Sequence, residues 1–147
     1  MLEVPVHRLD PALPVPGYAH PSDAGADLRA RTGTRLRAGG GRAAVPTGLV
    51  LAIPPGYAGF VQPRSGLALH HGVTCLNAPG LIDAGYRGEI AVVLVNTDPE
   101  EDYEVQVGDR IAQLVIQRIE HVSFVAAAGD ELADTERGAG GFGHSGR

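Results

Sequence analysis

Glycine and proline interrupt this chain so often that little of it is left long enough for a helix. There are 21 glycines and 11 prolines, and aromatic residues make up only 5%. Such a sequence is rich in turns and poor in the large side chains that hold helical bundles together, which favours many short strands. Leu2 to Leu9 alternates apolar and polar residues and reads as an edge strand, where Pro5 costs little. Asp10 to Ser22 is rich in proline and reads as an extended connection. Thr34 to Ile53 predicts strand, turn and strand, with Gly39-Gly40-Gly41 as the turn and Val45 to Ile53 as the second strand. Tyr57 to Gln62 is another strand, ended by Pro63. Arg64 to His71 reads as a short helix stopped by Gly72. Tyr103 to Val107 alternates as a strand does, and Gly108-Asp109 closes it as a turn. Ile111, Leu114, Val115 and Ile119 fit helical spacing as well as a strand, but among so many short β-branched runs Arg110 to Val122 is assigned to β. After Ala128 the chain becomes glycine-rich and charged, with little apolar surface for packing. The expectation is an all-β, jelly-roll-like barrel or sandwich over residues 1–128, of about ten short strands and at most one short helix. A mobile arm over residues 129–147 follows it.

Several function classes drop out. At 147 residues the chain fits one domain. No apolar stretch approaches the roughly 18 residues of a membrane span, and Met1 to Asp10 lacks a basic region followed by an apolar one. The expected compartment is therefore the cytoplasm, with no membrane partner. A net charge of −5 argues against a broad nucleic-acid surface. Cys75 has no second cysteine to pair with and reads as a small buried hydrophobe. The six histidines show no zinc-binding pair, and His70 and His71 read as surface or interface residues. No serine sits in a nucleophile elbow, so covalent catalysis is not indicated.

Five stretches hold polar residues in glycine-rich settings. In Leu76 to Glu89, Pro79-Gly80 and Ala84-Gly85 bracket Leu81-Ile82, and Ile90 to Val95 follows as a β-branched run; this reads as a tight hairpin feeding a buried strand. Asp83 stands at its far turn. A carboxylate there can take a proton from water, or it can simply bond backbone two residues on. Pro63-Arg64-Ser65-Gly66 can gather N–H groups, a hydroxyl and a guanidinium on one anion, or Ser65 can be an ordinary helix N-cap with Arg64 solvated. Gln113 interrupts the otherwise apolar Ile111 to Val115, where a polar side chain often just pairs with a neighbouring strand. Asp27, in Ala24-Gly25-Ala26-Asp27-Leu28, can hold a metal-bound water or serve a turn. Arg137 to Gly146, with Phe142 among its glycines, can lay N–H groups along phosphates or be a functionless terminus.

In this order, the stretches Ala24–Leu28, Pro63–Ala68, Asn77–Glu89, Gly108–Leu114 and Arg137–Gly146 resemble the five motifs of the trimeric dUTPases. The resemblance implies a jelly-roll-like β-clip fold and a homotrimer whose active sites lie between subunits. It also implies Mg²⁺-assisted cleavage of dUTP to dUMP and pyrophosphate by water attack on the α-phosphorus, which keeps uracil out of DNA and supplies dUMP for thymidylate synthesis. Carried over, Asp83 is the general base. Arg64, Ser65, Gly66 and Gln113 hold phosphate oxygens, and Asp27 fixes a water on the Mg²⁺. Asn77 and the backbone up to Tyr86 read the uracil edge, with the Tyr86 ring against the deoxyribose. Arg137 reaches the γ-phosphate and Phe142 stacks on uracil as the arm closes. The arm departs from the family at Ala139 and His144, where Ser or Thr is usual. Two rivals stand beside this reading: dCTP deaminases, which carry a catalytic Glu at the position of Val93, and a nucleotide-sensing trimer without turnover.

Overall fold

In the computed structural model, which describes residues 2–128, 132 and 134–140, eleven strands and one helix follow one another. They are β1 (Val6–Arg8), β2 (Ala26–Arg29), β3 (Thr34–Leu36), β4 (Arg42–Pro46), β5 (Leu49–Leu51) and β6 (Tyr57–Gln62), then α1 (Ser65–His71). After the helix come β7 (Val73–Cys75), β8 (Gly80–Ile82), β9 (Ala91–Asn96), β10 (Tyr103–Val105) and β11 (Arg110–Arg118). They form four antiparallel sheets: β2-β11-β6-β8, β4-β9-β7, and the pairs β1-β5 and β10-β3. The class is all-β, and the jelly-roll description fits it. No helix among the described residues is long and apolar enough to cross a membrane.

The longest strand explains the one ambiguous stretch. β11 is paired on both edges, to β2 and to β6. A bulge between Arg110 and Ala112 puts both Ile111 and Ala112 in the core, at 1% and 0% exposure. A central strand with a bulge buries neighbours in succession, which mimics helical spacing. Its register sets Gln113 opposite Asp27 on one side and Gln62 on the other.

Three expectations change in detail. The strand proposed over Val45 to Ile53 breaks at Thr47-Gly48, where Gly48 takes φ +73° and the chain leaves β4 for β5, in another sheet. Thr47 is buried there, and its N–H and hydroxyl both donate to the Ile90 carbonyl, at 3.0 and 2.7 Å. The hairpin proposed within Leu76 to Glu89 is not one: β8 pairs with β6, whereas β9 lies between β4 and β7. Ser65 does not cap the helix. Arg64 occupies the N-cap position without a side-chain capping bond, and Gly72 ends α1 in the left-handed conformation. Cys75 is buried as expected, and burial pushes its thiol up to about 11.

Candidate active site

Asp83 follows β8 directly. Its carbonyl accepts the Tyr86 N–H at 3.0 Å, so main chain closes the turn and the side chain is not needed for it. The exposed carboxylate makes no hydrogen bond or ion pair among the described residues and lines a pocket with Asn77, Gly80, Tyr86, Glu89 and Val93. The turn is stapled by Arg87, whose Nη1 donates to the Ala84 and Tyr86 carbonyls at 2.7 and 2.8 Å. The Tyr86 ring lies over Gly88, where a Cβ would run into the ring (3.0 Å from Cε2), and its hydroxyl donates to the Glu89 carbonyl at 3.0 Å. Asn77 lies beside Gly80, within the turn that leaves β7 and just before the cis Ala78–Pro79 peptide.

A second pocket gathers Asp27, Arg64, Ser65, Gly66, Arg110 and Gln113 around Gly25. Asp27 lies within β2, not in a turn, and holds two guanidiniums: Arg64 on Oδ1 and Arg110 on Oδ2, the latter at 3.3 Å. Arg64 is thus engaged rather than solvated. The Gln113 side-chain amide donates to the Pro63 carbonyl at 2.9 Å, so part of its polarity does tie β11 to the end of β6. Gly25 is required by close approach: a Cβ there would stand 3.0 Å from Gln113 Cδ and closer still to its Oε1. Ser65 is exposed at the first position of α1, and open space lies beyond Gly66.

The two pockets share no lining residue. The register explains why. Ile82 pairs with Gly59, so Asp83 leaves beside the start of β6, whereas Arg64 stands five residues further along the same extended chain. At about 3.3 Å per residue that is about 16 Å. Asp83 and Arg64 therefore leave opposite ends of β6 within one chain. Arg137 joins neither pocket; its Nε donates to the Gly140 carbonyl at 2.9 Å within a local turn. Phe142 and His144 lie outside the described residues. Sequence reasoning gave no role to Arg110, or to the carboxylate of Glu89, which pairs with Arg31 across 58 positions of chain. No local pattern signals a pair so far apart.

Solved structures place the fold in a known class. The Staphylococcus bacteriophage 80alpha dUTPase with dUPNHPP is 27% identical and superposes over 100% of both chains with a TM-score of 0.87. The dUTPase family model matches residues 12–146. The deoxyuridine 5'-triphosphate nucleotidohydrolase of Thermobifida fusca (strain YX) is 59% identical over 145 residues, 99% of this chain and 79% of that protein. The one from Mycobacterium leprae (strain Br4923) is 54% identical over 144 residues, covering 96% and 93%. The chain belongs to the dUTPase family.

Proposed function

We propose that this chain hydrolyses dUTP to dUMP and pyrophosphate in active sites that copies of the chain complete together, as a cytoplasmic homotrimer. The observation that carries the reading is the Asp83 carboxylate, unpartnered among the described residues and set at the far end of β6 from the Arg64–Asp27–Gln113 cluster. A second subunit supplies the missing half of each site. Val122, Phe124 and Val125, at 64%, 94% and 81% exposure in the isolated chain, offer apolar surface for such an assembly.

In this reading Asp83 accepts a proton from water, the water oxygen bonds to the α-phosphorus, and the bond from that phosphorus to the bridging oxygen breaks to release pyrophosphate. Asn77 and the main chain from Gly80 to Tyr86 pair with the uracil edge, while the Tyr86 ring packs against the deoxyribose where a 2′-hydroxyl would clash. Arg64, Ser65, Gly66 and Gln113 hold phosphate oxygens, as charge-assisted and backbone donors suit them. Residues 129–147 act as an arm that brings Arg137 to the γ-phosphate and Phe142 to the base, and so excludes water on closing.

The residues present fit Mg²⁺ arriving on the substrate. The Asp27 carboxylate is a hard oxygen donor in the phosphate pocket, already held by two guanidiniums, which suits contact through a metal-bound water. When bound, the ion neutralises charge on the triphosphate.

The deaminase reading meets an apolar side chain where it needs a Glu: Val93 lines the Asp83 pocket. Purified protein offered dUTP, dCTP, dTTP and UTP with Mg²⁺ is expected to release pyrophosphate from dUTP alone. Ammonia from dCTP would establish the deaminase, and binding without product the sensor. Gly25→Ala is expected to lower kcat/KM about tenfold, because the added methyl pushes the Gln113 side chain off Pro63 and away from its phosphate contact, a loss of about 1–1.5 kcal/mol. Steady-state kinetics on the two proteins checks it.

A further inference from the structure

The function above uses Tyr86 but leaves unexplained what holds its ring in place. Tyr86 is 46% exposed, and among the described residues its hydroxyl is anchored to a single acceptor, the Glu89 carbonyl. The position of that carbonyl is fixed from the other side. One Glu89 carboxylate oxygen accepts the Gly48 N–H at 2.7 Å, and both oxygens lie 3.2 Å from Arg31 Nη1. The next residue is bolted to the same corner: the Ile90 N–H donates to the Leu49 carbonyl at 2.8 Å, and the Ile90 carbonyl accepts both donors of Thr47. Gly48 can turn its N–H to Glu89 because it takes φ +73°, and a Cβ there would press on Arg31 Cδ at 3.3 Å. Arg31 is itself tied to that corner by its N–H, which donates to the Pro46 carbonyl at 2.8 Å.

We infer that the Arg31–Glu89 ion pair, clamped on the Gly48 N–H, is a positioning device that sets the Tyr86 ring and so sets how strongly the site rejects a ribonucleotide. The inference rests on the proposed role of Tyr86 against the deoxyribose. Glu89 lines the Asp83 pocket, but its carboxylate is engaged by Arg31 and the Gly48 N–H. A 2′-hydroxyl is excluded only if the ring cannot retreat, and a shift of the carbonyl holding its hydroxyl lets the ring retreat. Rejection by steric fit depends on that rigidity.

The test compares kcat/KM for dUTP and UTP in the full-length protein. Glu89→Gln keeps the shape and an acceptor for Gly48 but loses the charge, and Arg31→Met keeps the stem but loses the guanidinium. Each is expected to lower the dUTP-over-UTP ratio about tenfold, and the double variant to be no worse than either single one, since one interaction is removed in all three. Arg31→Lys, which restores the charge, is expected to recover most of the ratio. Val105→Ala, in the β10–β3 pair that contributes nothing to this pocket, serves as a variant that loses stability alone. If Glu89→Gln and Arg31→Met lower the thermal midpoint as Val105→Ala does and leave the ratio untouched, the pair is structural and the inference is wrong. If the wild-type protein and Tyr86→Ala show the same ratio, the role given to Tyr86 fails first, and the inference falls with it.

Discussion

Asp83→Asn lowers kcat for dUTP by about a thousandfold, within the range expected when a positioned general base is removed, while dUTP still binds within about threefold of wild type. Binding survives because the substitution keeps the size of the side chain and spares the main chain that would pair with uracil: the turn is closed by the Asp83 carbonyl and the Tyr86 N–H. Turnover is lost because an amide cannot take the proton from the attacking water. The carboxylate has no second task to confuse the result, since it makes no hydrogen bond or ion pair among the described residues. Equilibrium binding of a non-hydrolysable dUTP analogue, set beside single-turnover rates, separates the two effects. A variant that kept a tenth or more of wild-type turnover would remove Asp83 from the chemistry.

Arg64→Met lowers kcat/KM by about a hundredfold. A charge-assisted hydrogen bond contributes about 1.5–3 kcal/mol, and each 1.36 kcal/mol is a factor of about ten in rate. The effect falls near the upper end because Arg64 does two things. Its guanidinium is the donor aimed at the phosphates, and it also neutralises Asp27, which would be left with Arg110 alone at 3.3 Å. An underneutralised carboxylate beside a triphosphate repels what the pocket must hold. Asp27→Asn in the Arg64→Met background relieves that repulsion and is expected to restore several-fold of the loss. Steady-state kinetics on the single and double variants gives the coupling.

Much of this was legible in the sequence, for local reasons. Gly72 stops the helix in a conformation that glycine adopts without strain, and Tyr57 to Gln62 is bounded by turn residues at both ends, so the sequence marks these elements itself. Partners were not legible. Thr47-Gly48 looks like a minor interruption of an apolar run, yet it is where the chain changes sheets, and β8 pairs with a strand some twenty residues earlier rather than with its neighbour β9. The site divides the same way. Asp83, Arg64, Asp27 and Gln113 stand out as polar residues in glycine-rich or apolar surroundings. What aims them was hidden: Gly25 beneath Gln113, Gly88 beneath the Tyr86 ring, and Glu89 joined to Arg31 and Gly48, each a contact between residues whose meeting depends on the fold.

Separate placement of the base and the phosphate cluster in one subunit is the central claim, and mixing two disabled proteins tests it. Asp83→Asn and Arg64→Met chains are unfolded together and reassembled at equal ratio. If each active site draws these residues from different subunits, about a quarter of the sites in random symmetric assemblies carry both intact, and turnover rises to about a quarter of the wild-type value. If Asp83 and Arg64 serve the same site from one chain, the mixture stays as inactive as its parents.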